Sequence, residues 1–289
     1  MKHPAPFTIY LIILFFSAQV IGLFIISQYV HTEVSTETGQ KIVVGVKELP
    51  AGIERPPVTE SASFIPIIIG VLVGTVLVLL LAKYRKPNWW RTWFFASVTL
   101  TMTIAFAAFL KAELAFMLAA GLAYFKIVKP NVFIHNITEL FIYSGIAAIF
   151  VPVMNVFSAT VLLLLISGYD VFAVWKSKHM IKLADFQANS KVFAGLAIPY
   201  KKQLSSKRAK APASKLAAAA ILGGGDIAFP MLFAGTLLKS FSFPQVLLVV
   251  ATATMALAVL LFIAKKGRFY PAMPVLTIGC LIGYWVLLL

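Results

Sequence analysis

Long apolar runs separated by short polar clusters organise this chain. Residues 7–30, 64–82, 93–110, 112–128, 132–149, 153–175, 216–238, 244–264 and 271–289 are each predominantly apolar. Each is close to the ~20 residues that an α-helix needs to cross roughly 30 Å of hydrocarbon. A helix satisfies its own backbone polar groups, which lipid cannot do. The pattern therefore predicts an all-α, polytopic membrane protein with nine transmembrane helices. The fourth run is the shortest, and its strictly apolar part is Leu114 to Phe125. The first follows Lys2, is long for a signal peptide and has no small-x-small cleavage site, so it reads as an uncleaved span.

Composition agrees with a bilayer environment. The chain is 61% hydrophobic and 12% charged, too apolar for a soluble domain of 289 residues. The net charge of +15 does not point to nucleic acid, because the basic residues sit at the ends of apolar runs and in the loops between them. That placement marks topology. With the N-terminus inside, 20 of the 25 basic residues face the cytoplasm, and only Lys41, Lys47, Arg55, Lys111 and Lys239 lie outside. Setting aside the ten between Lys176 and Lys215 still leaves 10 inside against 5. The expected location is the cell membrane, multi-pass, with a cytoplasmic N-terminus and an extracellular C-terminus.

The expected organisation is one membrane domain: spans one to six over 1–175, a cytoplasmic loop over 176–215, and spans seven to nine over 216–289. The first six spans should form one unit and the last three another. The outer loop, 31–63, holds five of the ten acidic residues and should form a small hydrated cap, with Ile42-Val43-Val44 as a short strand. The first part of the inner loop mixes apolar and basic residues and suits the membrane surface. The stretch Lys201 to Ser214 reads as a mobile tether. No internal repeat is visible. Cys280, the single cysteine, reads as a small buried apolar residue.

Three carboxylates interrupt the apolar runs: Glu139, Asp170 and Asp226. An ionisable group at membrane depth costs several kcal/mol unless it faces a cavity or a partner. Asp170 lies six residues before the basic inner loop and Asp226 eleven after Lys215. At 1.5 Å per residue they sit about 9 and 16 Å from the inner boundary. Their spans are consecutive and antiparallel, so both occupy the same half of the membrane. Two carboxylates sharing a poorly solvated site hold one proton between them. The ionised partner takes a proton from water, and the protonated one hydrogen-bonds a scissile carbonyl and later protonates the leaving nitrogen.

Neighbouring residues fit that use. Gly223, Gly224 and Gly225 precede Asp226; they permit close backbone approach or local unwinding, and equally suit plain helix packing. Pro271-Ala272-Met273-Pro274 opens the last span on the inner side. It reads either as an ordinary helix start or as non-helical backbone facing the aspartates. Glu139, beside His135 and Asn136, reads as a polar contact near the interface or between helices.

Tyr169-Asp170, Gly223-Gly224-Gly225-Asp226 and Pro271-Ala272-Met273, in that order and at those span positions, resemble the YD, GxGD and PAL motifs of the presenilin and signal peptide peptidase family. Tyr169-Asp170-Val171-Phe172 and Gly225-Asp226-Ile227-Ala228-Phe229-Pro230 are similar to the signal peptide peptidase branch. The overall compactness resembles a microbial, archaeal-like homologue. One departure is Met273 where the third motif usually ends in leucine, a volume-conserving change. The resemblance implies a presenilin-like fold and an intramembrane aspartyl endopeptidase without metal or organic cofactor. Its substrates would be transmembrane helices of membrane proteins or signal peptides. Asp170 and Asp226 would be catalytic. Tyr169, Gly223, Gly224, Gly225, Pro271, Ala272 and Met273 would contact substrate, with backbone near Pro271-Ala272-Met273 accepting it by strand addition. The rival reading is a proton- or cation-coupled transporter or leak channel, which also uses buried acids.

Overall fold

The computed structural model describes residues 5–35, 41–177, 180, 183, 186–187, 190, 192–199, 219–265 and 270–289. Its described residues form nine α-helices that follow the nine apolar runs: α1 (Ala5–Ser27), α2 (Phe64–Lys83), α3 (Pro87–Ala107), α4 (Ala112–Val128), α5 (Val132–Phe150), α6 (Val156–Val171), α7 (Gly224–Leu237), α8 (Phe243–Ile263) and α9 (Met273–Leu288). Five of these segments are long and apolar enough to cross a membrane by length and composition alone. Large apolar side chains such as Ile13, Val76, Phe116, Leu164 and Trp285 are exposed along the helices, as a lipid-facing surface requires.

Helix α7 is the innermost element. Nine of its 14 residues are buried, and it packs against α1, α5, α6 and α9. Small residues allow the close approaches. Gly145 of α5 lies against the Thr101 backbone of α3, where any β-carbon would meet the Thr101 carbonyl. Helix α2 is the opposite extreme, with only Ile67 and Val78 buried along its 20 residues.

Two antiparallel strand pairs mark the two ends of the bundle. At one, β1 (Val30–Val34) pairs antiparallel with β2 (Lys41–Val46), so the expected strand at Ile42-Val43-Val44 is present. Lysines at this end also cap helix ends, where backbone carbonyls lack intrahelical donors. Lys41 Nζ donates to Leu238 and Phe241 carbonyls beyond α7, at 2.9 and 3.0 Å. Lys47 Nζ donates to Ala107 and Ala108 after α3, at 2.8 and 3.1 Å. Lys239 bridges Glu60 at 2.7 Å and the Met154 carbonyl at 2.9 Å.

At the other end, β3 (Gly195–Pro199) pairs antiparallel with β4 (Ala219–Gly223). This corrects two expectations. The seventh span was expected to be helical from residue 216, but its described start is a strand, and the helix begins at Gly224. Consecutive glycines are poor helix formers, so the extended chain persists up to them. Part of the inner loop was expected on the membrane surface, yet Leu196 and Ile198 are buried beneath the bundle. The expected tether Lys201 to Ser214 lies outside the described residues. Cys280 is fully buried, as expected of a small apolar residue.

Candidate active site

Asp170 occupies the last turn of α6, followed by a π-helical turn, Phe172–Lys176. Its carboxylate is buried, and Oδ2 accepts a hydrogen bond of 3.1 Å from the Met273 N–H. The Ala272 N–H bonds the same carboxylate. The first N–H groups of an α-helix have no intrahelical acceptor. Here Pro271 and Pro274 bracket the start of α9, and Asp170 takes up the donors left at its first turn. Just below, Ser167 Oγ and Thr277 Oγ1 meet at 2.7 Å and pin α6 to α9.

Asp226 lies in the first turn of α7. Gly223 is the N-cap residue, and its N–H bonds the Asp226 carboxylate three positions on. This is the returning half of a capping box. Asp226 and Asp170 lie within electrostatic reach of one another, on the packed helices α7 and α6. Gly224 lies flat against Tyr143 of α5; a β-carbon there would stand 2.5 Å from Oη. Close approach therefore accounts for this glycine. On the far side of α7, Gln19 of α1 donates from Nε2 to the Ile227 carbonyl at 2.9 Å.

Tyr169 points away from the carboxylates toward α2. Thr75 Oγ1 already donates to the Val71 carbonyl, so it accepts from Tyr169 Oη at 3.1 Å. Tyr169 also lines an apolar groove of about 210 Å³ between α2 and α6, with Ile68, Val71, Leu72, Leu165 and Ile166.

A third polar group escaped the sequence reading in its extent. Glu139 was expected to make a polar contact, and it is the centre of a buried network. Its Oε1 meets Lys126 Nζ of α4 at 2.6 Å, with both side chains almost fully buried. Its Oε2 accepts from the Tyr143 hydroxyl and, at 2.9 Å, from the Gly195 N–H of β3. Lys126 also donates to Thr138 Oγ1 at 2.9 Å. His135 Nε2 lies 2.8 Å from the Gly195 carbonyl, which can only accept, so Nε2 carries the proton and Nδ1 faces Lys126 at 3.2 Å. Breaking such a buried pair by removing one partner costs about 3–5 kcal/mol. The available sequence signal was the four-residue spacing of His135, Glu139 and Tyr143, which puts them on one helix face. Lys126 looked like one more cytoplasmic charge.

The family model described as signal-peptide peptidase, presenilin aspartyl protease matches residues 21–289. No curated protein matches the chain. Two solved structures of a presenilin family intramembrane aspartate protease, in P2 and C222 space groups, share the fold. The first gives a TM-score of 0.60 at 19% identity, covering 96% of each chain. The second gives 0.61 at 18% identity, covering 96% of this chain and 97% of the other.

Proposed function

Because the chain belongs to the signal-peptide peptidase and presenilin family of intramembrane aspartyl proteases, we propose that Asp170 and Asp226 are the pair through which it hydrolyses peptide bonds. The protein is a multi-pass membrane hydrolase whose substrates are transmembrane segments within the bilayer. One observation carries the assignment to these two residues. They come from different helices, lie within electrostatic reach of each other, and each is oriented by backbone N–H groups of a glycine- or proline-containing segment.

In this reading a water between the carboxylates loses a proton to the ionised partner as its oxygen attacks the scissile carbonyl carbon. The protonated partner donates a hydrogen bond to the carbonyl oxygen. Collapse of the tetrahedral intermediate breaks the C–N bond, and a carboxyl proton passes to the leaving nitrogen. The two titrate as a pair, so neither is given a fixed role.

A helical substrate must unwind before its bond is accessible. The sequence pointed to Pro271-Ala272-Met273 as the partner for the unwound stretch, but Ala272 and Met273 give their N–H groups to Asp170. Strand β4 is the better candidate. The opposite edge of β3 is filled by α5 side chains, whereas among the described residues β4 pairs with β3 alone. A substrate strand alongside Ala219–Gly223 would lead directly toward Asp226. The groove at Tyr169 between α2 and α6 supports lateral arrival from lipid.

We assign the end of the bundle that carries β3 and β4 to the cytoplasm. Of the five basic residues expected outside, Lys41, Lys47, Arg55 and Lys239 all engage backbone carbonyls, which accounts for cations on a face that otherwise lacks them.

The test is cleavage of a labelled single-span substrate by the purified protein in liposomes. Asp170→Ala and Asp226→Ala should each abolish product. Product persisting in either variant refutes the assignment.

A further inference from the structure

Strand β3 has a partner on each side, and only one of them is a strand. Along its outer edge, Gly195 and Ala197 turn their backbone groups toward α5, where side chains take every one. Glu139 Oε2 accepts from the Gly195 N–H at 2.9 Å, and His135 Nε2 donates to the Gly195 carbonyl at 2.8 Å. Asn136 makes both bonds to Ala197: Oδ1 accepts from its N–H and Nδ2 donates to its carbonyl, each at 3.0 Å. Three side chains on the first two turns of α5 thus do the work of a third strand. On the inner edge, β3 pairs with β4, residue for residue from Gly195↔Gly223 to Pro199↔Ala219. Strand β4 then runs without a break into Gly224 and the first turn of α7, which carries Asp226.

The same network reaches that junction by a second route. Tyr143 lies one turn after Glu139, donates its hydroxyl to Glu139 Oε2, and packs its ring edge on Gly224. It is also within electrostatic reach of Asp226. Lys126, from α4, holds the other carboxylate oxygen and has no other anionic partner among the described residues. The strand-to-helix junction is therefore gripped on one side through β3 and on the other through Tyr143, and both grips end on Glu139.

We propose that Glu139, held by Lys126, is a positioning residue for the proteolytic reaction, fixing the β4–α7 junction, and with it Asp226, through Gly195 and Tyr143. This rests on Asp226 being catalytic. Glu139 touches neither reacting atoms nor water in this role; it acts through the backbone it holds. A purely architectural ion pair between α4 and α5 would need only Lys126 and Glu139. It would not need the second carboxylate oxygen to collect a tyrosine and a strand amide that both lead to one aspartate.

The test uses the full chain in liposomes with a labelled single-span substrate, and reads kcat, KM and the thermal midpoint together. Tyr143→Phe keeps the ring and removes only the hydroxyl, so it spares the fold. It should lower kcat on the order of 10-fold, as misplacement remote from the chemistry does, with KM and midpoint essentially unchanged. Glu139→Ala leaves Lys126 buried and unpaired and should lose both turnover and stability. The double variant Glu139→Gln with Lys126→Met keeps an oxygen facing Tyr143 and Gly195 without the charges, and should recover most of the turnover lost in Glu139→Ala. Unchanged kcat in Tyr143→Phe overturns the proposal. So does a loss of activity that follows the thermal midpoint in every variant, since that is architecture alone. Asp226→Asn runs alongside: cleavage surviving there strikes the dyad assignment itself rather than the positioning role.

Discussion

Replacing Gly224 by alanine tests whether the start of α7 is held by contact. The added β-carbon would stand 2.5 Å from Tyr143 Oη, 2.8 Å from Cε1 and 2.9 Å from Cζ. Non-bonded carbons settle at about 3.5–4.0 Å, so the ring or the backbone must give by about 1 Å. Tyr143 is only 4% exposed and its hydroxyl is tied to Glu139, which leaves it little room. Overpacking of this kind costs about 1–3 kcal/mol. Exchanging glycine for alanine in a helix returns about 1 kcal/mol. The net strain is about 0–2 kcal/mol, two residues from Asp226. At about 1.4 kcal/mol per decade, full transmission to the transition state lowers kcat by up to about 30-fold. Gly168→Ala is the control. It lies two residues before Asp170, and a β-carbon there meets nothing within 4 Å. That variant should keep its kcat and gain a few tenths to about 1 kcal/mol in thermal stability. Single-turnover cleavage of a labelled substrate, with thermal midpoints in the same detergent, reads both. A Gly224→Ala midpoint raised as much as that of Gly168→Ala, with kcat unchanged, would refute the steric argument.

The remaining predictions concern packing, capping and access. Gly145→Ala places its β-carbon on the Thr101 carbonyl, which is backbone and cannot swing aside, so α3 and α5 must separate; size-exclusion chromatography should show loss of monodisperse protein. Lys47→Met removes the ammonium from the Ala107 and Ala108 carbonyls and should lower stability by about 0.3–2 kcal/mol in thermal melts, with cleavage otherwise intact. Thr75→Val removes the acceptor for Tyr169 and should loosen α2 from α6; a bond worth about 0.5–1.5 kcal/mol implies a rise in kcat/KM of about 2- to 10-fold if substrate enters there. A fall would argue against that route.

The nine helices were legible because each coincides with a predominantly apolar run of near-spanning length. Asp170 and Asp226 stood out for a related reason, since a charge in such a run requires a purpose. The strand pair β3–β4 was not legible. Ala219 to Leu222 is as apolar as a membrane helix, and what keeps it extended is pairing with Gly195 to Pro199 and the glycines after it. Those are tertiary facts. Lys126 was hidden differently: a lysine near a helix end normally turns to water, and only its position opposite Glu139 draws it inside. Gln19, the amide within the first span, carried a weaker mark of the same kind, and its partner is a carbonyl 208 residues away. The alternation of helices was readable, whereas the capping duty of Lys41, Lys47 and Lys239 required knowing which helix ends meet the β1–β2 end of the bundle.

Helix α2 buries only two residues; its first residue is tied to α6 by the Phe64 N–H on Ser158 Oγ at 3.1 Å, and beyond that end one side-chain hydroxyl contact, Thr75 to Tyr169, holds it there. Its equilibrium between docked and parted positions is therefore a property of protein and bilayer together. A thicker or thinner hydrocarbon layer changes the helix tilt at a cost of fractions of a kcal/mol per Å of mismatch. That is comparable to the worth of the Thr75–Tyr169 bond. Bilayer thickness should therefore bear on the groove lined by Tyr169, and the same polypeptide should cut at different rates in bilayers of different acyl length.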